Sequence, residues 1–270
     1  MNKKLSIGLS CLLMVVALLV SSTSVFGGGW LMLVSTSLAW TPASKAGAVL
    51  GIDALSPAQF GSPADNGSIS TWTDSVSGLA FTLGHAATYK ADAGDGYPGA
   101  KCLNTNLMNT VAELINTGTA FSIFVVYRQL AWSAGTYAGL FAFKTPSGSD
   151  SPYIGLYDGK FGFNSTGTAF KSWLTTAAAP STGTTNYSIL SYDGAGATTI
   201  GNYAYYLNGA QEAISTFNFA PSYNYNNIGA YAEDGSFGLD GYIKELWVFT
   251  TAMSAEELTK IASYVSRWGL

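Results

Sequence analysis

Sixteen carboxylates and one histidine, His85, are the acid–base groups of this 270-residue chain. Hydrolysis of a glycosidic bond needs two carboxyl groups about 5–10 Å apart, flanking one bond. On a strand, alternate positions would place them on one face. No two acidic residues stand at i and i+2 anywhere in the sequence. Asp240 and Glu245 are five apart and fall on opposite faces of a regular strand. Glu233-Asp234 and Glu256-Glu257 are adjacent, in a loop and at a helix start. His85, in "LGHAATY", has no acid or nucleophile beside it to form a triad, and reads as an ordinary loop or strand-end histidine. One histidine and one cysteine beyond the leader, Cys102, do not fill a zinc site. The sequence therefore predicts a non-catalytic protein.

Binding chemistry is better represented. Asp92 and Asp95 in "ADAGDG", and Glu233 and Asp234 in "YAEDG", could offer hard oxygen ligands to calcium, although neither stretch has EF-hand spacing. Acidic turn residues that simply face water are the competing reading. The stretch 217–238 contains Tyr223, Tyr225, Asn226 and Asn227, which combine flat rings with amide donors and acceptors. That mixture suits the faces and hydroxyls of a sugar. It suits a protein interface equally, where tyrosine is enriched.

The elements that must carry these residues are mostly strands. From residue 46 onward, short apolar or alternating runs are separated by Gly, Pro, Asn and Asp clusters. Their spacing of roughly 10–20 residues predicts a two-sheet antiparallel sandwich rather than βαβ units. The segment 120–130 is the most β-rich, and Asp158-Gly159 marks a hairpin. Two helices are predicted. One, over 107–116, is weakly amphipathic. The other follows "LWVF" and is well specified: Ser254 and Glu257 form a capping box, and Leu258, Ile261, Ala262, Val265 and Trp268 make one apolar stripe before Gly269. A helix of that length is marginal alone in water, so it is expected to seal the sandwich.

Composition bounds the setting. Charged residues are only 10% of the chain, and the net charge of −4 argues against a nucleic-acid partner. Lys3 and Lys4, followed by the apolar run 5–20, read as a secretory signal over 1–27, with an uncleaved anchor as the alternative. Residues 28–45 read as an apolar arm or linker that docks on protein within or between chains, and 46–270 as one domain.

"STWTDSVSGLAFT", "YAYYLNGAQ" and the closing "GYIKELWVFTTAMSAEELTKIASYVSRWGL" together resemble laminin-G-like jelly rolls of the concanavalin-A-like superfamily, over about 220 residues. The "TTAM" connection at 250–253 departs from the usual polar one. The resemblance implies an all-β jelly-roll sandwich with a short C-terminal helix. It also implies a glycan-binding or adhesion module, exported or displayed at a surface. A structural subunit of a virion, filament or surface layer that self-assembles is the alternative, and a polysaccharide-active enzyme a third.

Overall fold

The computed structural model describes residues 39–78, 80–102, 108–110, 115, 118–131, 137–144, 153–157, 160–164, 180–196, 200–214, 225–228 and 239–270. Within these, only the backbone is described for 81–86, 108–110, 137–138, 142–144, 153–154, 156–157, 160–164 and 225–228. Fourteen strands form antiparallel ladders. They are β1 (Ala48–Asp53), β2 (Ser68–Thr73), β3 (Ala80–Lys90), β4 (Gly99–Cys102), β5 (Met108–Thr110), β6 (Phe121–Gln129) and β7 (Tyr137–Lys144). Then follow β8 (Tyr153–Tyr157), β9 (Lys160–Asn164), β10 (Thr185–Tyr192), β11 (Tyr203–Leu207), β12 (Ala210–Glu212), β13 (Tyr225–Ile228) and β14 (Gly241–Phe249). Among the described residues one α-helix, α1 (Ala255–Tyr264), runs into a 3-10 turn at Val265–Trp268.

The first sheet runs β12-β11-β10-β6-β14, and β1 completes it. The second runs β3-β5-β13-β7-β8-β9, with β2 on the other flank of β3. Strand β14 joins them. One of its edges is wholly occupied by β6, while the other is divided: Glu245–Phe249 pair with β1 and Gly241–Ile243 with β4. Strand β4 then carries the ladder to β3. This is an all-β jelly-roll sandwich. Every residue of β14 is buried, so the apolar run "LWVF" is packed on both faces, as a central covered strand requires.

The two faces of the first sheet are lined differently. Ile243, Leu246 and Val248 face the sandwich interior with Ile123, Val125 and Leu190 opposite them in register. On the other face a row of Ile189, Phe124, Trp247 and Gly51 crosses β10, β6, β14 and β1. The Trp247 ring lies directly over Gly51, where any Cβ would overlap it. Helix α1 covers this row: Tyr264 meets the Phe124 ring edge-on at 6.4 Å and Trp40 at 6.1 Å.

The helix has the predicted construction. Ser254 Oγ accepts from the Glu257 N–H at 3.2 Å, and Glu257 Oε2 accepts from the Ser254 N–H at 2.8 Å. Ile261, Val265 and Trp268 are buried, and Gly269 ends the turn at φ 75°. Ala262, expected on the buried stripe, is instead exposed at its margin, where it lines an open cleft with Leu258 and Thr259. The predicted helix at 107–116 is corrected in part: Met108–Thr110 is a strand, because β3 and β13 both offer it a ladder. Residues 111–114, 116 and 117 lie outside the described residues, as do 1–38. Among the described residues no helix is long and apolar enough to cross a membrane.

Residues 40–45, read from sequence as the end of an arm, belong to the compact body Trp40–Leu270. Lys45 explains why. It is buried over the Phe249 ring, and its Nζ donates to Thr251 Oγ1, the Ala252 carbonyl and Glu257 Oε1 at 2.9–3.0 Å.

Two sequence signals prove to be fold devices. Asp74 is buried and accepts from the Gly51 N–H, the Val76 N–H at 3.0 Å and the Ser77 N–H at 2.6 Å, tying the β2–β3 loop to β1. Asn208 and Gly209 both have positive φ, 49° and 84°, as a tight I′ hairpin turn requires, and Asn208 Oδ1 accepts from the Tyr187 N–H at 2.9 Å.

Trp268→Ala should lower unfolding free energy by about 2–5 kcal/mol, since it removes a buried ring and a buried hydrogen bond. Ser254→Ala should cost about 1 kcal/mol through the lost cap. Urea titration of the two variants checks both values.

Candidate functional site

Three places concentrate functional side chains. The first lies under α1. The β14–β6 register shifts between Ile243 and Glu245, so Lys244 is the extra residue of a bulge. A bulge re-aims side chains, and here two consecutive charged residues both reach Trp268. Lys244 Nζ lies 5.3 Å from one of its ring centroids, and Glu245 Oε2 accepts from its Nε1 at 2.6 Å.

Glu245 is fully buried. Its Oε1 accepts from Trp247 Nε1 and from the Tyr264 hydroxyl, each at 2.6 Å. Arg267 Nη2 lies 3.9 Å from Oε2 and also pairs with Asp53. Desolvation outweighs this cation and the hydrogen bonds, and pushes the Glu245 carboxyl up to about 7. Lys244, with no exposed side-chain surface, donates to Asp95 Oδ1 at 2.8 Å and to the Tyr97 and Pro98 carbonyls at 3.3 Å. Burial pushes its ammonium below the ordinary value. A raised carboxyl beside an acid and an arginine is the signature of acid–base chemistry. Here Trp247, Trp268 and Tyr264 close over it, and its oxygens are spent on them. The cluster holds the helix down.

The second place is the loop of Asp92 and Asp95, two of the calcium candidates. Asp92 Oδ1 accepts from the N–H groups of Gly94, Asp95 and Gly96 at 2.7–3.1 Å, which lowers its carboxyl. Burial raises the Asp95 carboxyl, but hydrogen bonds from Lys244 and Thr185 outweigh it and hold it below the usual value. The loop is thus a self-capped turn and the counter-ion of Lys244. Glu233 and Asp234 lie outside the described residues. Among the described residues no three His, Cys, Asp or Glu side chains converge as a metal site. Cys102 is buried in β4, its thiol pushed up to about 12 by desolvation, and so unreactive.

The third place is the second sheet. Tyr225, Asn226 and Asn227 belong to β13, which is paired on both edges, with β5 and β7. The ladder on both sides fixes their alternation: Tyr225 and Asn227 share one face and Asn226 the other. Tyr223 lies outside the described residues. One register row aligns Leu83, Met108, Ile228, Phe141, Ile154 and Phe163 across six strands. Phe141 is fully buried, which makes this the core face. The adjacent row aligns Thr82, Asn109, Asn227, Ala142, Tyr153 and Asn164 and falls on the opposite face. The residue types of this row are Thr, Asn, Asn, Ala, Tyr and Asn. His85 lies in β3, two positions along from the core-row Leu83.

A small cleft of about 270 Å³ also opens between α1 and β10–β11, lined by Tyr187, Ile189, Tyr206, Gly209, Leu258, Thr259 and Ala262. No charged side chain lines it. Sequence reasoning missed the Lys244–Glu245 cluster. Its signal was a Lys-Glu pair inside an otherwise apolar strand, followed by Tyr and Trp in the helix.

With this geometry in place the relatives can be compared. Residues 104–259 match the concanavalin A-like lectin/glucanases superfamily in its laminin-G form, and the chain belongs to that superfamily. No curated protein sequence matches it. Among solved structures it is similar to domain 4 of an extracellular arabinanase from Geobacillus stearothermophilus, determined with arabinotriose. The TM-score is 0.59 at 15% identity, over 81% of this chain and 99% of that domain. It is also similar to Trypanosoma rangeli sialidase, with TM-score 0.55 and 11% identity over 82% of this chain and 33% of that one. The botulinum neurotoxin type G receptor-binding domain gives 0.53 and 12% over 81% and 51%. At these identities the likeness is one of fold.

The raised Glu245 carboxyl makes a signed prediction. The folded chain keeps a proton that the unfolded chain releases between about pH 4.5 and 7, so the stability from this group is full below that window and is lost as pH rises through it. Wild type minus Glu245→Gln should therefore fall by at most about 1.4 kcal/mol per pH unit across the window, and be flat outside it. Denaturation at a series of pH values measures it.

Proposed function

We propose that this chain is a non-catalytic glycan-binding module of an exported or surface-displayed protein. The observation that carries the reading is the row of Thr82, Asn109, Asn227, Tyr153 and Asn164, which the strand register assembles on the face of the second sheet opposite the core. Amides and hydroxyls there offer the paired donors and acceptors that sugar hydroxyls need, and tyrosines offer flat apolar area. Superfamily membership supports it, as does the near-complete correspondence with an arabinanase domain determined with arabinotriose. The leader-like residues 1–27 support export. The raised carboxyl of Glu245 is closed over by aromatic side chains, which favours binding over turnover.

Affinity electrophoresis through gels containing arabinan, xylan, β-glucan or polygalacturonate tests the reading. Retardation by at least one polymer is expected. Asn227→Ala should weaken it about tenfold, the worth of a hydrogen bond or two, with thermal stability retained. Uniform mobility in all four gels would overturn the proposal. Product release from a retained polymer would overturn the non-catalytic part.

A further inference from the structure

Helix α1 covers the outer face of the first sheet up to one margin. The row of Ile189, Phe124, Trp247 and Gly51 continues outward through Tyr206 in β11 and Gln211 in β12. Tyr264 closes over Phe124, but between the helix and β10–β11 a cleft of about 270 Å³ stays open. Leu258, Thr259 and Ala262 form its helix wall, and Tyr187, Ile189 and Tyr206 its sheet wall. Thr259 and Ala262 are exposed at its mouth.

One group in this cleft lacks what burial demands. Tyr187 is only 5% exposed, yet among the described residues its hydroxyl has no hydrogen-bond partner; only its backbone N–H and carbonyl are bonded, both to Asn208. Burial alone raises this phenol above its ordinary value. The hydroxyl lies against Gly209, which also lines the cleft: a Cβ there would sit 2.8 Å from its oxygen. The positive φ of Gly209, 84°, disfavours any side chain at that point, so the space beside the hydroxyl is kept free. Buried hydroxyls in native proteins are nearly always hydrogen-bonded. One held against an open cleft calls for a partner that enters it.

We propose that this cleft is a second sugar site, taking one neutral sugar ring with its apolar face on Ile189 and Leu258 and a hydroxyl bonded to Tyr187. The inference rests on the glycan-binding reading for its ligand class and adds a site on the other sheet. The volume is below the roughly 300–1,000 Å³ usual for larger ligands, so it fits one ring and not a chain. Among the described residues no charged side chain lines it, so a carboxylate or ammonium would be desolvated there without a counter-charge. A pure hydrocarbon would leave the Tyr187 hydroxyl unpaired. Thr259 Oγ1 donates to the Ala255 carbonyl at 3.1 Å and can only accept from a ligand, whereas the Tyr187 hydroxyl can donate and accept. Sugar hydroxyls match both.

Isothermal titration of the full chain with arabinotriose, xylotriose, cellotriose and trigalacturonate, run beside the gel assay, tests the inference. At least one neutral trisaccharide is expected to bind. Tyr187→Phe, which removes one oxygen, should weaken it about tenfold, the worth of one hydrogen bond. Ala262→Trp, which fills the cleft from an exposed position, should abolish it. Melting temperatures should be unchanged; if Ala262→Trp melts early, Thr259→Lys at the exposed mouth blocks the same space. Asn227→Ala should leave the trisaccharide affinity unchanged. Binding that survives the cleft variants, or that Asn227→Ala weakens equally, overturns this inference and leaves the glycan-binding proposal intact. Polymer retardation without trisaccharide binding does the same. Tighter binding of trigalacturonate overturns the neutral class. Self-association that Ala262→Trp abolishes, with no sugar bound, makes the occupant a second copy and overturns the assignment. No binding to any polymer or trisaccharide overturns both proposals.

Discussion

The bulge at Lys244 is the constraint on which the rest of this structure depends. It sends two opposite charges from one central strand to the same side, under the closing helix. Neither charge could be left there alone, because the desolvation of an unpaired ion costs several kcal/mol. Each therefore fixes its surroundings. Glu245 requires Trp247, Tyr264 and Trp268 as donors, and Tyr264 and Trp268 belong to the helix and its final turn. Lys244 requires Asp95 and two carbonyls of the β3–β4 loop. Helix, bulged strand and loop are thus positioned by one ion-containing network. Lys45 performs the matching task at the other end of the helix, through Glu257.

The two sheets consequently have different tasks. Both faces of the first sheet are covered, one by the second sheet and one by α1, so its charges are spent on holding the fold. The second sheet has a core row and a polar row one residue apart along its strands. This division explains why the perturbed carboxyl and the second sheet's candidate binding residues stand in different layers.

Much of the architecture was legible in the sequence because it is local. Ser254 and Glu257 announce the helix start within four residues, Asn208-Gly209 announces a two-residue turn, and "LWVF" announces a strand buried on both faces. What was not legible depends on partners far along the chain. Glu245 looked isolated from Asp240 on a regular strand, and only the bulge and Trp268 give it a role. Asp95 and Asp92 read as calcium ligands because their counter-ion, Lys244, lies far away in sequence. Which strands flank Tyr225, Asn226 and Asn227 was likewise not readable: β5 and β7 lie far from them in sequence. The candidate face was invisible for the same reason: Asn109, Asn227 and Tyr153 become neighbours only through strand pairing.

The divided edge of β14 also governs the order of folding. Strand β1 pairs with it from Ala48 against Phe249, a separation of about 200 residues, the kind of contact that slows folding because its loop must close first. Strands β4 and β6 share the same partner. Until β14 pairs, β1 has no ladder to join and β4 and β6 each keep one edge open, so the first sheet is completed late.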